Sequence, residues 1–359
     1  MRSGWGAPSR VPELRRNPVT GHWVCIAPGR LARPETREEH FHTDAAGVHT
    51  PEWDCPFCEG NEDRTPPELY ALRRGGGGAN TRGWSVRVVP NLYPAFAAEG
   101  EEGDPSHPLF AREPALGACE VIIQGPDHRR WLPYLSAEQA ELVMATSWRR
   151  YNRNASPGVG SVVLLYNHGR GAGASLAHPH GQLYATREVG PMQALEVDGA
   201  RAAARSSGSC VFCSMLASEE AQAARVVATS RDFLAIAPWA SRSSYECWIL
   251  PREHRADFGT ISEARAASLG VFLRAVLWRL VQELDDPDLN WYIHSQPGAA
   301  GDAAGTYHWH LEIHPRVGVV AGFEMASGIH VNTVAPETAA EALRARPDPG
   351  PEEQPPALR

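Results

Sequence analysis

The apolar residues of this chain follow two periods, one typical of strands and one typical of helices. Short β-branched or alternating runs predict strands at residues 84–90, 118–124 and 161–166. Ser136 and Gln139 have the spacing of a capping box, which predicts a helix from there to about Tyr151. Residues 262–284 are predicted to form a longer helix, because one face would carry apolar side chains at Leu269, Phe272, Val276, Leu280 and Leu284.

This order of elements occurs twice, which makes the chain a tandem repeat. In each copy a strand and a turn ending in histidine precede a helix, a second strand, a glycine-rich turn and a His-x-His strand. The second copy has its strands at 245–250, 289–294 and 308–314, and its glycine-rich turn at 298–305. We therefore predict an α+β fold of two histidine-triad-like units, each an antiparallel half-barrel sheet with a packed helix. The predicted domains are residues 1–200 and 201–344, followed by a proline-rich, disordered tail at 345–359.

Length and charge narrow the class of protein. A chain of 359 residues suits two domains, and its net charge of −8 argues against nucleic acid as a partner. No apolar run reaches the ~18 residues of a membrane span, and the first residues do not resemble a signal peptide. We therefore expect a cytoplasmic protein that does not bind membranes. Since the chain contains no lysine, arginine is its only fixed cation for binding phosphates.

The stretch from Asn167 to Gln182 carries the strongest chemical signal. On an extended strand His178, His180 and Gln182 share one face. Ahead of them the glycine-rich turn could cradle a phosphate with its backbone N–H groups. An imidazole is a competent nucleophile at neutral pH, since its ordinary pKa is about 6.5. The alternative is a metal-binding or merely polar pair of histidines.

Cysteine and histidine recur at the same places in both copies, as two tetrahedral zinc sites would require. Two Cys-x-x-Cys pairs also suit metal binding in a reducing compartment better than disulfides. The alternative for the second pair is two buried free thiols. The predicted ligands are Cys55, Cys58, His128 and His178 in the first copy, and Cys210, Cys213, His254 and His308 in the second.

His178-x-His180-x-Gln182 after a glycine-rich turn resembles the transferase branch of the histidine-triad superfamily, and most nearly the galactose-1-phosphate uridylyltransferase family. Gln182 stands where the hydrolase branches carry a third histidine. The first cysteine–histidine set matches this family's zinc site. The second matches only its two-zinc members, which include a branch that acts on ADP-glucose. Other members hold a different metal with nearby Glu and His residues, for which this chain offers Glu196, His294, Glu312 and His314.

The resemblance also implies roles in the reaction. His180 would attack the α-phosphorus of a nucleoside diphosphate sugar and carry the nucleotidyl group to a second phosphate, in ping-pong order. Ser175 and Gln182 would complete the catalytic group by donating to the phosphate oxygens. Because Glu312 stands where the first copy has Gln182, the second copy is predicted to be catalytically dead. The substrate-binding residues implied are Arg30, Arg33, Asn91, Asn167, Gly173, Ser175, Gln182, Phe323, Glu324 and His330.

These features favour a UDP-glucose–hexose-1-phosphate uridylyltransferase, with zinc and with a homodimer whose active sites are shared. An ADP-glucose phosphorylase-like enzyme, or another nucleotidyltransferase with a different base, sugar or acceptor, is the first alternative. It gains weight because His330 stands where the galactose enzymes carry glutamine. A non-catalytic, zinc-stabilised nucleotide-binding protein is the second alternative. The intact His180, Ser175 and Gln182 disfavour it.

Overall fold

The predicted strands and helices are present in a computed structural model of the chain, which describes residues 11–32, 52–100, 106, 109–298 and 303–350. The strands are β1 (Glu13–Arg16), β2 (Trp23–Ile26), β3 (Tyr70–Arg73), β4 (Trp84–Pro90), β5 (Gly117–Ile123), β6 (Ser161–His168), β7 (His180–Thr186), β8 (Val226–Thr229), β9 (Phe233–Ile236), β10 (Cys247–Pro251), β11 (Leu289–His294), β12 (His310–Pro315) and β13 (His330–Asn332). The α-helices are α1 (Ala137–Asn154), α2 (Pro191–Ser207), α3 (Val211–Gln222), α4 (Glu263–Leu284), α5 (Gly322–Ser327) and α6 (Pro336–Arg344).

The two copies share one large antiparallel sheet. Its ten strands lie in the order β3-β4-β5-β7-β6-β11-β12-β10-β9-β8, so the five strands on one side mirror the five on the other. The central pair β6–β11 joins the copies, with Asn167 opposite Asn290. The prediction of a tandem α+β fold is confirmed. The predicted domain boundary at residue 200 falls inside α2.

Helices α1 and α4 cover one face of this sheet. Alternation along the strands turns residues such as Leu164, Tyr166 and Ile293 into the core beneath the helices. Ser136 caps α1 by accepting from the N–H of Gln139 at 3.2 Å. The predicted capping box is only half formed, because the Gln139 amide donates to the carbonyls of Ser85 and Gln124, each at 2.7 Å. Gln139 thus ties the helix to the sheet.

The other face of the sheet carries the polar side chains. The same alternation places Asn167, His180 and Gln182 on this face, together with Asn290 and Tyr292 from the second copy. Several of these side chains are only half buried at the centre of the sheet. Toward the edges this face is covered by the loop of the first cysteine pair and by α2 and α3. The uncovered centre is where a ligand can approach.

A small sheet joins the two ends of the described chain. Its order is β1-β2-β13, and β13 runs parallel to β2 with His330 opposite Val24. Arg30 lies in the short 3-10 helix Pro28–Ala32 directly after β2. The amide N–H of Ala27 donates to the carbonyl of Asn332 at 2.8 Å. Two predicted substrate-binding segments, from opposite ends of the sequence, are therefore held side by side.

After α6 the chain packs back against α4. Arg279 donates to the Asp348 carboxylate at 2.7 Å, and Arg274 donates to the carbonyl of Gly350, also at 2.7 Å. The first residues of the predicted tail thus have partners, while 351–359 lie outside the described residues. Arg33 and residues 299–302 of the second glycine-rich turn also lie outside them. In the described part of the chain, every helix is too short or too polar to serve as a membrane span.

Candidate active site and metal centres

His180 opens β7 with its imidazole oriented as a nucleophile requires. Its Nδ1 lies 2.8 Å from the carbonyl oxygen of His178. Since a carbonyl can only accept, Nδ1 carries the proton and Nε2 keeps its lone pair. The ring is 7% exposed and meets the Phe57 ring edge at 5.1 Å between centroids. Burial lowers the pKa of His180, which keeps the ring neutral.

Two of the three residues expected beside His180 share its face of the sheet. Gln182 follows two positions along β7 and accepts a hydrogen bond from the Tyr184 hydroxyl at 2.8 Å. In the register of β6 and β7, Tyr166 faces Gly181, so the next pair sets Asn167 opposite His180. Ser175 is exposed in the loop just before β7. Gln182 and Asn167 can therefore donate to an anionic group placed against Nε2.

The glycine-rich turn does not offer the open cradle of N–H groups that its sequence predicts. The N–H of Gly171 donates to the Asp288 carboxylate at 2.5 Å. The N–H groups of 172, 173 and 174 donate to carbonyls of the turn itself, at 2.9–3.3 Å. This part of the prediction was wrong, because a 3-10 turn closes on its own carbonyls. Gly173, with φ of +89°, ends that turn in the left-handed region.

The first predicted zinc set comes together as one cluster. The ligand atoms of Cys55, Cys58, His128 and His178 all lie within 4.8 Å of one another. Cys58 Sγ is 3.2 Å from His128 Nδ1 and 3.5 Å from His178 Nδ1. Ligand atoms around a tetrahedral zinc lie roughly 3.3–3.8 Å apart, given bonds of about 2.0–2.3 Å. The spacing therefore fits a zinc ion.

The second set repeats this geometry. The ligand atoms of Cys210, Cys213, His254 and His308 also lie within 4.8 Å of one another. Cys213 Sγ is 3.2 Å from His254 Nδ1 and 3.6 Å from His308 Nδ1. The backbone around the two cysteine pairs differs, which the sequence did not predict. The second pair lies at the N-terminus of α3, whereas the first lies in a turn.

Backbone carbonyls fix three of these imidazoles in the tautomer that ligation needs. Nε2 of His178, His254 and His308 lies 2.9, 2.7 and 3.0 Å from the carbonyls of Gly125, Ala304 and Pro251. Nε2 therefore carries the proton, and the Nδ1 lone pair faces the sulfur atoms. Such an outer hydrogen bond is typical of metal-binding histidine.

Burial sets the protonation of the cysteine and histidine ligands. Burial and the neighbouring Cys55 raise the pKa of Cys58 to about 12. Burial lowers the pKa of His178 to about 4, and that of His308 in the second set to about 3. At neutral pH the Cys58 thiol is therefore protonated and both rings are neutral. A metal ion must displace protons from sulfur to bind.

A third cluster lies on the polar face of the second copy. The ligand atoms of Glu196, His294, His310 and Glu312 are within 4.8 Å of one another, and His294 Nδ1 is 3.0 Å from Glu196 Oε1. His314, which the sequence grouped with Glu196, His294 and Glu312, lies instead with Glu246 and Glu312. The predicted alternative ligands are therefore divided between two clusters.

His310, the counterpart of His180, is enclosed. It is 0% exposed, and the rings of Phe212 and Trp248 lie 5.0 and 4.9 Å from its own. Its Nε2 faces the Glu312 carboxylate, 3.5 Å from Oε1. Side chains of the second copy thus close off this nitrogen, whereas His180 keeps some exposure.

The Glu312 carboxylate, which stands in the place of Gln182, is already engaged. It forms an ion pair with Arg242, and it accepts from the Tyr292 hydroxyl at 2.8 Å. Burial alone would raise the pKa of Glu312, but Arg242, with His310 and His314, holds it well below its usual range. Arg242 thus sits in the second copy where a phosphate would approach in the first.

The remaining predicted substrate-binding residues lie on segments that are distant from His180 in sequence. Asn91 follows β4, and its side-chain oxygen accepts from the N–H of Tyr93 at 2.9 Å. Phe323 is 57% exposed on α5, while Glu324 accepts from the N–H of Ala321 at 3.1 Å. Burial lowers the pKa of His330, as does Arg242 of the second copy. The C-terminal segment of this chain is therefore near the second copy's polar face.

Most of the chain is similar to proteins of one enzyme family. A profile of the galactose-1-phosphate uridyl transferase N-terminal domain matches residues 7–190. ADP-glucose phosphorylase of Arabidopsis thaliana is 30% identical over 94% of this chain and 93% of its own. Galactose-1-phosphate uridylyltransferase of Thermotoga maritima is 26% identical over 92% of this chain and 98% of its own.

The likeness extends to solved structures. The crystal structure of the Arabidopsis thaliana ADP-glucose phosphorylase with bound ADP-glucose has a TM-score of 0.78 to this chain at 29% identity. It covers 94% of this chain and 100% of that one. A uridylyltransferase structure has a TM-score of 0.69 at 24% identity, covering 93% of this chain and 97% of that one, a likeness of fold alone.

Proposed function

Because this chain belongs to the galactose-1-phosphate uridylyltransferase family, with features of the ADP-glucose phosphorylases, it is a nucleotidyltransferase, and we propose that it acts by double displacement through His180. The observation that carries this proposal is the hydrogen bond from His180 Nδ1 to the carbonyl of His178. It leaves the Nε2 lone pair available on the face of the sheet that a ligand can reach. His310 makes the same bond to the carbonyl of His308, at 3.1 Å, but is fully enclosed, so access to Nε2 is what separates the two copies.

In the first half-reaction, Nε2 attacks the α-phosphorus of a nucleoside diphosphate sugar. A P–N bond forms, the bond from the α-phosphorus to the bridging oxygen breaks, and sugar 1-phosphate leaves. In the second half-reaction, a phosphate oxygen of the acceptor attacks the same phosphorus, the P–N bond breaks, and Nε2 regains its lone pair. Gln182, Ser175 and Asn167 would donate to the non-bridging oxygens where charge develops.

We place an ADP-glucose phosphorylase-like reaction first, with inorganic phosphate as acceptor. It is supported by the 30% identity to ADP-glucose phosphorylase, against 26% to the Thermotoga maritima uridylyltransferase. The presence of His330 also supports it, as does a complete second cysteine–histidine set. Hexose-1-phosphate uridylyl transfer from UDP-glucose, which the sequence alone favoured, becomes the second candidate.

Intact mass spectrometry distinguishes these candidates. The purified protein is incubated separately with ADP-glucose and with UDP-glucose, and its intact mass is then measured. We expect the mass to rise by one adenylyl group with ADP-glucose, and added inorganic phosphate to remove it as ADP. A uridylyl adduct that only a hexose 1-phosphate discharges would establish the second candidate. A protein that gains no nucleotidyl group from either sugar nucleotide contradicts the covalent mechanism.

We also propose that zinc occupies both cysteine–histidine sets. The donors are two sulfur and two nitrogen atoms at tetrahedral spacing, and carbonyl-bonded rings present Nδ1 in each set. Neither set contains His180, so zinc would stabilise the fold and hold His178 in place. By holding His178, the bound zinc would also fix the start of β7, where His180 lies.

The acceptor or sugar pocket is proposed to include Glu324 and His330 from a partner subunit. Several apolar residues at and before α5 are exposed in the single chain, as an interface segment would be, among them Val319, Phe323 and Met325. A homodimer would bring this segment of one chain to the first copy of the other. Each active site would then be built from both protomers.

Glu324→Ala is therefore expected to lower turnover of sugar 1-phosphate by about ten- to hundredfold, because a sugar hydroxyl loses its acceptor. Glu324→Gln keeps an oxygen for the Ala321 N–H and is the matched variant for loss of charge alone. His330→Gln should shift preference toward galactose 1-phosphate. The measurement is kcat/KM for glucose and galactose 1-phosphates, and unchanged ratios in all variants would exclude this segment from substrate choice.

Mixing subunits tests whether sites are shared. Glu324→Ala protein is combined, under exchange conditions, with a His180→Ala protein. In a mixed dimer one site then holds both native residues, so random mixing should restore roughly a quarter of wild-type activity. No recovery despite proven exchange would mean that each protomer supplies its own Glu324.

A further inference from the structure

Asn290, on β11 of the second copy, contacts Asn167 and the glycine-rich turn of the first copy. Its Nδ2 donates to Asn167 Oδ1 at 2.7 Å and to the carbonyl oxygen of Ala172 at 2.8 Å. Its Oδ1 accepts from Arg316 Nε at 2.6 Å. Two of these contacts cross from β11 to β6 and to the turn after it. The third, from Arg316, lies within the second copy and braces Asn290.

Two of these partners fix which way the Asn290 amide faces. A carbonyl oxygen can only accept a hydrogen bond, and Arg Nε can only donate one. Asn290 therefore cannot rotate its amide by half a turn without losing both contacts. Its NH₂ group must face Ala172 and Asn167.

The orientation of Asn167 follows from that of Asn290. The atom of Asn167 that meets an NH₂ group must be its oxygen. The NH₂ group of Asn167 then points away from β11. Because β6 lies between β11 and β7, that direction is toward the strand of His180.

Asp288 makes a further close contact between the two copies. Its carboxylate accepts from the N–H of Gly171 at 2.5 Å. A Cβ on Gly169 would lie 1.7 Å from Asp288 Oδ1, so only glycine admits the carboxylate there. The backbone N–H of Arg316 donates to the Asp288 carbonyl at 2.7 Å. The loop is thus held at two points by one flank of the second copy.

We propose that Asn290 is a positioning residue for nucleotidyl transfer: it holds the Asn167 amide so that its NH₂ group donates to the phosphate that His180 attacks. The catalytically inactive copy would thereby orient a substrate contact of the active one. The inference deepens the proposed function and rests on it. Asn167 contributes its oxygen to the protein and its NH₂ group to the anionic ligand.

Asn290→Asp tests the proposal with almost no change in volume. The new carboxylate keeps Arg316 as a partner but cannot donate to Asn167. It attracts the NH₂ group of Asn167 instead, which turns the Asn167 oxygen toward the phosphate. We expect kcat/KM for adenylyl loading from ADP-glucose to fall roughly ten- to hundredfold. Asn152→Asp, the same change at an exposed site on α1, should leave it unaltered.

A double-mutant cycle separates positioning from damage to the fold. If Asn290 acts through Asn167, then Asn290→Asp should cost little further activity in an Asn167→Ala background. Fully additive losses, or wild-type loading by Asn290→Asp with its fold intact, would overturn the inference. Wild-type protein that acquires no nucleotidyl group would overturn the proposed function, and the inference with it.

Discussion

His180→Ala is expected to abolish double-displacement turnover while the protein still folds and still binds its metals. The alanine leaves no atom to carry the nucleotidyl group, and loss of a nucleophile commonly costs roughly 10⁴-fold or more in rate. His180 is outside both cysteine–histidine sets, so metal content should be unchanged. The measurements are exchange of labelled sugar 1-phosphate into the sugar nucleotide, intact mass and metal content.

The two copies provide a matched control. His310→Ala removes the equivalent ring of the second copy, which is enclosed by Phe212 and Trp248. It should lower stability by leaving a cavity, yet keep nucleotidyl loading. His180→Gly supplied with a nucleoside 5′-phosphorimidazolide should regain the second half-reaction, because the reagent replaces the missing ring. Substantial nucleotide exchange by His180→Ala would refute the assignment.

The sequence predicted the central strands and the two long helices because their apolar residues match a single period. It did not predict α2, and the reason lies in what that helix buries. Gln193 and Glu196 are buried together with Val197 and Ala200, so the buried face of α2 is not apolar. These polar groups are paired with residues far away in sequence. Gln193 accepts a hydrogen bond from Ser161, and Glu196 is hydrogen-bonded to His294. Local periodicity cannot reveal a face stabilised by distant hydrogen bonds.

The metal sets could be predicted because the repeat places the same residue types at corresponding positions. The state of the glycine-rich turn could not, since its Gly171 N–H is taken by Asp288, 117 residues further along the chain. Asp288 directly precedes β11 and Asn290 follows two residues on, the spacing that His178 and His180 have at the start of β7, and that spacing was the signal available for them. Nothing local showed which loop they would meet.

The second copy shows the same limit in its electrostatics. Glu312 was predicted to repel a phosphate, and its carboxylate is indeed ionised there. Arg242, 70 residues earlier, neutralises it. An inactive second copy stays a prediction, and its physical basis in the structure is an occupied and enclosed site more than a repulsive one. A buried carboxylate of this kind needs a cation that sequence spacing does not identify.

Loss of the first metal set is expected to be the largest single change in stability. Cys55 is fully buried where its loop packs against Val121 and Ile123 of the sheet, and Cys55→Ser should remove one zinc per chain. A site saturated a thousandfold above its dissociation constant contributes about 4 kcal/mol to the free energy of unfolding. Cys25→Ser, in a half-buried cysteine outside both sets, should retain both metals.

Proton release tests the same site without a substitution. Burial raises the pKa of Cys55, and burial with the charge of Cys55 raises that of Cys58 to about 12, so both thiols are protonated at neutral pH without metal. Zinc uptake by this set should therefore release about two protons, and affinity should fall as pH falls. His178, with a pKa lowered to about 4, is neutral and releases none.

The second set is tested by removing both of its sulfur atoms. Metal analysis of wild-type protein should find about two zinc ions per chain, and the Cys210→Ser, Cys213→Ser double variant about one. The first set should survive this change, since its ligands come from loops of the first copy, the last of them just before β7. Full metal content in the double variant would show that His254 and His308 serve another purpose. Loss of both ions would show that the two sets do not bind metal independently.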